Sequence, residues 1–108
     1  MAPENESGGQ APLAEIDPII HAPARLSILT ALYIVQAADF VFLQKQTGLT
    51  RGNLSAHLSK LENAGYIIVE KKFVKRVPRT LLCLSEAGRE AFRRYRQQIQ
   101  EALGNLPE

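Results

Sequence analysis

Two stretches of this chain hold residues whose types and spacing could do chemistry. The first runs Thr50, Arg51, Asn53, Ser55, His57, Lys60 and is threaded by Leu54, Leu58 and Leu61. On a helix, which turns about 100° per residue, burying those leucines turns Gly52, Ala56, Ser59 and Asn63 outward and leaves Asn53, Ser55 and Lys60 on the flanks. Such a small, polar surface suits a DNA major groove, where Asn pairs with adenine, Arg with guanine, and Ser or Thr with bases or phosphates. The second stretch gathers Lys71, Lys72, Lys75, Arg76 and Arg79, a cationic projection suited to phosphates or a minor groove. Taken singly, each is also what a solvated helix face or a surface charge run looks like. Side by side they point to nucleic acid.

Other chemistries find little support. Two isolated histidines, His21 and His57, and one cysteine, Cys83, do not supply the closely spaced ligand set of a metal site, and neither a metal nor a cofactor is expected. No nucleophile, base and orienting group can be assembled, which disfavours an enzyme. His21, just before Pro23, has no evident partner. His57 can either touch a phosphate or pack between helices, because it lies near the leucine stripe. Cys83, between Leu82 and Leu84, reads as a small buried hydrophobe rather than a redox thiol. The Arg89, Arg93, Arg96 row occupies one helical face and is expected in solvent.

The 108 residues are 45% hydrophobic, enough for one domain with a modest core and no disulfide. Net charge is only +2, but it is unevenly spread. Up to Thr50 the cations are Arg25 and Lys45, against five acidic residues, Glu4, Glu6, Glu15, Asp17 and Asp39; from Arg51 onward cations predominate. The single cysteine suits a reducing cytoplasm, and no apolar run approaches the roughly 18 residues of a membrane span.

The elements that must position these residues are legible from caps and periodicity. Residues 1–15 carry Pro3, Gly8, Gly9 and Pro12 among polar residues and read as a disordered tail, followed by one domain over 16–108. Asp17-Pro18 and Pro23 are both helix-start signals, and the first helix runs to about Val35. Asp39 caps a short helix from Phe40 to about Thr47, which Gly48 ends; Thr50 caps a third helix to about Ala64, closed by Gly65. Tyr66 to Phe73 and Thr80 to Leu84 read as antiparallel strands joined by a loop from Val74 to Arg79. Ser85 then caps a last helix in which Phe92, Tyr95, Ile99, Ala102 and Leu106 recur at alternating three- and four-residue steps, the pattern of a helix-pairing seam. The fold class is therefore mainly α with a small hairpin (α+β), in the order helix, helix, helix, strand, wing, strand, helix. Two short helices joined by a glycine turn are the requirements of a helix-turn-helix, with Leu49 anchoring the turn beside Leu43.

The run Asp39-Phe40 … Leu43 … Thr47-Gly48-Leu49-Thr50-Arg51-Gly52-Asn53-Leu54-Ser55-Ala56-His57-Leu58 … Leu61-Glu62 … Ala64-Gly65-Tyr66, with Pro78-Arg79-Thr80 and Leu84-Ser85-Glu86-Ala87-Gly88, resembles the compact MarR/ArsR-like winged-helix transcriptional regulators. The resemblance covers nearly everything after the tail. It implies DNA binding as a homodimer, with the third helix in the major groove and the hairpin as a wing. By it, Thr50, Arg51, Asn53, Ser55 and His57 lie on the DNA-reading segment and Lys75, Arg76 and Arg79 in the wing. Two departures stand out: the wing has no glycine where relatives often have one, and Ala56 is small where a longer side chain could have met a base.

The first helix is apolar around more than one stripe, and with the last helix it exceeds what one small monomer can cover. Leu32, Val35, Phe92, Tyr95, Ile99, Leu103 and Leu106 are the candidate dimer contacts. The expected function is a DNA-binding regulator, a repressor by occlusion; the competing reading is a winged-helix protein-interaction module. A small-molecule effector could enter beside the first helix, although no polar cluster marks a site for one.

Overall fold

The computed structural model describes residues 15–104, 106 and 107; apart from Glu15, the expected tail lies outside them. Its elements run α1 (Pro23–Val35), α2 (Phe40–Thr47), α3 (Arg51–Asn63), β1 (Ile67–Val74), β2 (Val77–Leu84) and α4 (Glu86–Gly104). This is the mainly α architecture with one hairpin that the sequence implies.

Helix starts fall where the capping residues put them. The Thr50 hydroxyl accepts the Asn53 amide at 3.1 Å and one Asp39 carboxylate oxygen accepts the Phe42 amide at 2.8 Å. Each satisfies an N–H that a helix start leaves without an intrahelical acceptor, a stabilisation of about 1 kcal/mol. Gly48 ends α2 at φ 72°, a left-handed conformation that costs glycine nothing sterically. The two proline signals resolve differently. Asp17 caps only an isolated turn, accepting the Ile19 amide on its side chain and the His21 amide on its carbonyl, both at 2.9 Å. Pro23, which has no N–H to continue that turn, holds Ala22 extended at φ −150° and restarts the chain as α1.

The hairpin is longer and its turn tighter than expected. Both strands extend to a two-residue turn, Lys75-Arg76, with φ of 53° and 67°. Two positive φ values give the turn whose twist matches a β-hairpin, so no glycine is needed, at the cost of holding two long side chains left-handed. Pro78 sits within β2 opposite Phe73; in a two-stranded sheet each strand is an edge, and the missing N–H faces outward. The root of the hairpin is tied to the loop before α2, where Ala38 and Leu82 exchange backbone hydrogen bonds of 3.0 and 2.8 Å.

One core holds these elements together. Ile28, Leu29 and Leu32 of α1, Leu43 of α2, Leu54 and Leu61 of α3, and Ile20 before α1 are fully buried, with Ile67, Leu82, Leu84, Ala91 and Tyr95 closing the cluster and Leu49 half-buried against it. Leu32 and Tyr95 therefore correct the expected seam: Leu32 is 0% and Tyr95 7% exposed within one protomer, because the α1 and α4 stripes that carry them face the domain's own core. Phe92 and Ile99 are half-buried, whereas Val35, Leu103 and Leu106 keep exposed surface. His21 also gains a partner the sequence did not signal, the Tyr95 hydroxyl at 2.9 Å from its Nδ1. Cys83 is half-buried rather than buried, since strand alternation places it on the face opposite Leu82 and Leu84.

Two polar ties fix the ends of α3 and α4. The Tyr66 hydroxyl donates to Asp17; burial, followed by that carboxylate, pushes its phenol up to about 12, so it stays a donor across the physiological range. Ser85 Oγ accepts the Gly88 amide at 2.9 Å and donates to the Gly65 carbonyl at 2.6 Å. This brings the first turn of α4 so close to β1 that a Cβ on Gly88 would lie 2.1 Å from the Tyr66 carbonyl oxygen. Gly88→Ala should therefore lower unfolding stability by about 2 kcal/mol or more, the scale of a backbone clash in a packed site, read as a fall in the thermal midpoint; an unchanged midpoint would contradict the close approach.

Candidate nucleic-acid interface

The geometry of α3 follows from its leucines. Leu54 and Leu61 are fully buried and Leu58 nearly so, which fixes the helix's rotation and leaves Arg51, Gly52, Asn53, Ser55, Ala56, Ser59, Lys60 and Asn63 exposed. Thr50 is exposed at the cap. Of the residues named from the sequence for this segment, Thr50, Arg51, Asn53, Ser55 and Lys60 are thus all exposed among the described residues.

His57 behaves differently. It is half-buried, and its Nδ1 lies 3.2 Å from the Arg25 guanidinium. A guanidinium only donates, so Nδ1 accepts and the ring's proton sits on Nε2. Arg25 also donates to the Ile19 carbonyl at 2.5 Å and to the Pro18 carbonyl at 3.4 Å, stapling the segment before α1 to α3. Of the two roles open to His57, the geometry favours helix packing. Arg25 was missed altogether, because its contact is 32 residues away in sequence and no local pattern marks it.

Long cations at the edge of the surface are held in place. The Arg51 guanidinium lies over the Phe40 ring, 5.4 Å from its centroid, which limits its freedom before any ligand arrives. Arg79 reaches back to Asp39, 3.4 Å from the carboxylate oxygen that does not cap α2. One carboxylate thus starts α2 and tethers the wing's root. Exposed pairs of this kind contribute little to stability. Lys75 and Arg76 stand at the exposed wing tip.

The α4 arginines do more than stay in solvent. Arg89 stacks on Tyr33 at 4.7 Å, and the Tyr33 ring lies 5.3 Å from that of Phe92. Arg93, foremost through a hydrogen bond, lowers the Tyr33 phenol below its ordinary value, and it also donates to Glu90 at 3.3 Å. An open groove of about 460 Å³ runs along α1, lined by Leu26, Ala31 and Ile34 with Ser27, Thr30 and Gln46. Among the described residues no group of three or more His, Cys, Asp and Glu could hold a metal ion, and no helix is long and apolar enough to cross a membrane.

Comparisons with known proteins agree with this geometry. The family model described as a winged helix DNA-binding domain matches residues 24–103. The uncharacterized protein MJ0432 of Methanocaldococcus jannaschii is 33% identical over 88 residues, 82% of this chain and 96% of that protein. The structure of a transcriptional regulator homologue from Pyrococcus horikoshii OT3 is similar with a TM-score of 0.77 and 31% identity, over 83% of this chain and 89% of the other. A MarR mutant from E. coli complexed with operator DNA shares the fold, with a TM-score of 0.60 and 22% identity over 74% of this chain and 60% of the other.

If α3 reads bases, Asn53 is its amide reader. Asn53→Ala should relax sequence preference at one position by about 1–3 kcal/mol while leaving non-specific affinity nearly intact, measured by selecting bound sequences from random duplexes; an identical selected motif would remove Asn53 from the reading surface.

Proposed function

The chain belongs to the winged helix DNA-binding domain family, and from that premise we propose that it binds duplex DNA as a two-fold homodimer and represses by occluding its site. That it is a DNA-binding regulator and not an enzyme follows from the family. The observation that carries the finer reading is the leucine-free side of α3, which lies open beside a tethered cationic hairpin. Thr50, Arg51, Asn53, Ser55 and Lys60 would meet the major groove, with Lys75, Arg76 and Arg79 on the backbone or minor groove. The MarR mutant that shares this fold was complexed with operator DNA, which supports duplex DNA as the ligand.

Homodimerisation is favoured by apolar surface that the protomer leaves uncovered at both ends of the α1 and α4 region: Ile34 is 73% exposed, Leu103 56% and Leu106 63%. With Leu32 and Tyr95 withdrawn into the core, the seam narrows to Val35, Phe92, Ile99, Leu103 and Leu106. A two-fold arrangement would set two reading helices about 34 Å apart, one turn of DNA, and favour a pseudo-palindromic site. Repression needs only occupancy, which suits a chain whose described residues form one small domain.

The test is binding of the full chain to duplex DNA across a salt series. Affinity should fall steeply with salt, and Arg76→Asn, which removes a charge while keeping a residue that tolerates the left-handed turn, should reduce the slope by about 1. No salt-dependent binding near physiological ionic strength would favour a protein-interaction module instead. Separately, Ile99→Asp should shift the sedimentation mass from dimer to monomer; unchanged mass would refute this seam.

A further inference from the structure

The hairpin's charge suits a polyanion but leaves its apolar tip without a role. Every residue from Glu70 to Thr80 is exposed, so this part of the wing stands clear of the core. Phe73 is 77% exposed, although strand alternation puts it on the same face as Ile67 and Val69, which turn toward the body. Two residues further along that face, beyond Lys71, the body has ended and the phenyl ring has nothing to cover it. Directly across the ladder stands Pro78, so a flat ring and a rigid one are presented together, one ladder pair, Val74–Val77, behind the two-residue turn.

Three observations bear on what the pair meets. Lys71 shares the pair's face, Lys75 and Arg76 form the turn, Lys72 and Arg79 stand across from each other on the opposite face, and the sole acid among the hairpin's exposed residues, Glu70, lies 3.7 Å from Lys72. That charge is complementary to a polyanion and opposed to a basic protein or an uncharged apolar partner. Lys75 and Arg76 are held at positive φ, a conformation that long L side chains avoid and that recurs at functional sites. The hairpin's root is tied to the loop before α2 by the two Ala38–Leu82 backbone hydrogen bonds, with Arg79 beside Asp39, so the wing projects from a fixed base beside the helix-turn-helix. A rigid apolar ring among cations is the composition with which proteins enter a minor groove and part a base step while gripping the flanking phosphates.

We propose that Phe73, backed by Pro78, is an apolar wedge that enters the minor groove at a deformable base step, so that the wing selects sites by DNA shape. This rests on duplex DNA being the ligand. Pyrimidine–purine steps such as TA unstack readily and A-tracts resist; two duplexes of equal A·T content carry the same backbone charge, and the narrow minor groove of the A-tract, which draws Arg and Lys more strongly, works against the preference a wedge produces.

The experiment uses the full chain with two end-labelled duplexes of about 30 bp, long enough for two half-sites one turn apart, one rich in TA steps and one built of A-tracts. The parent protein should bind the TA-step duplex more tightly and bring its ends closer by energy transfer. Phe73→Ala should lose roughly tenfold in affinity for that duplex, the scale of one lost base–aromatic stack, together with the bend, at an unchanged salt slope. Phe73→Leu should keep most of both. Equal binding and bending by Phe73→Ala and parent would overturn the wedge while leaving DNA binding intact, as would a loss accompanied by a lower salt slope, which would mark a charge effect. A parent with no salt-dependent DNA binding would overturn the DNA reading itself. Phe73 lies outside the core cluster, so both variants should melt with the parent.

Discussion

Burial of Leu54, Leu58 and Leu61 is the constraint on which the rest of this structure depends. A helix has only rotation and position to specify, and three leucines along one stripe fix both: each turned outward would forfeit a side chain's burial, about 1.5–3 kcal/mol. Once they point into the core with Leu43, Leu29 and Ile28, the polar side of α3 has no choice but to face solvent. The exposed surface of α3 is thus a by-product of packing: apart from Thr50, which caps the helix, and Arg51, which lies over Phe40, its residues make no contact on which the core depends.

The surroundings of α3 are set by a few polar atoms used twice. Asp39 caps α2 with one oxygen and faces Arg79 of β2 with the other. Ser85 accepts from the first turn of α4 and donates to Gly65 at the end of α3. Arg25 holds the chain before α1 and the side of α3 through Ile19, Pro18 and His57. Each tie couples an element to its neighbour in space and adds to the hold of the shared core on the hairpin, α3 and the long last helix.

The last helix shows how one periodic stripe can serve two purposes. Its inner positions, Ala91 and Tyr95, complete the protomer's core, while Leu103 near its end is exposed; Leu106, expected on the same stripe, lies beyond the helix, which ends at Gly104. Spacing does not distinguish these ends, because a core-facing stripe and a pairing seam obey the same three- and four-residue rhythm. Only the length of the body beneath the helix divides them, which is why Leu32 and Tyr95 read from the sequence as surface and lie inside.

Local chemistry made much of this protein readable without coordinates. Asp39, Gly48, Thr50 and Gly65 mark the ends of α2 and α3 because capping and left-handed turns act within four residues, and the leucine spacing of α3 foretells its buried side. Tertiary contact decided the rest. Pro23 rather than Pro18 begins α1, since the intervening turn is held by its own hydrogen bonds; the wing closes on Lys75-Arg76 because strand pairing outweighs the preference of those residues against positive φ; and Arg25, His21 and Arg89 find partners on elements distant in sequence. Interactions that span a turn are written into neighbouring letters, whereas those that span the fold exist only once the chain has brought the partners together.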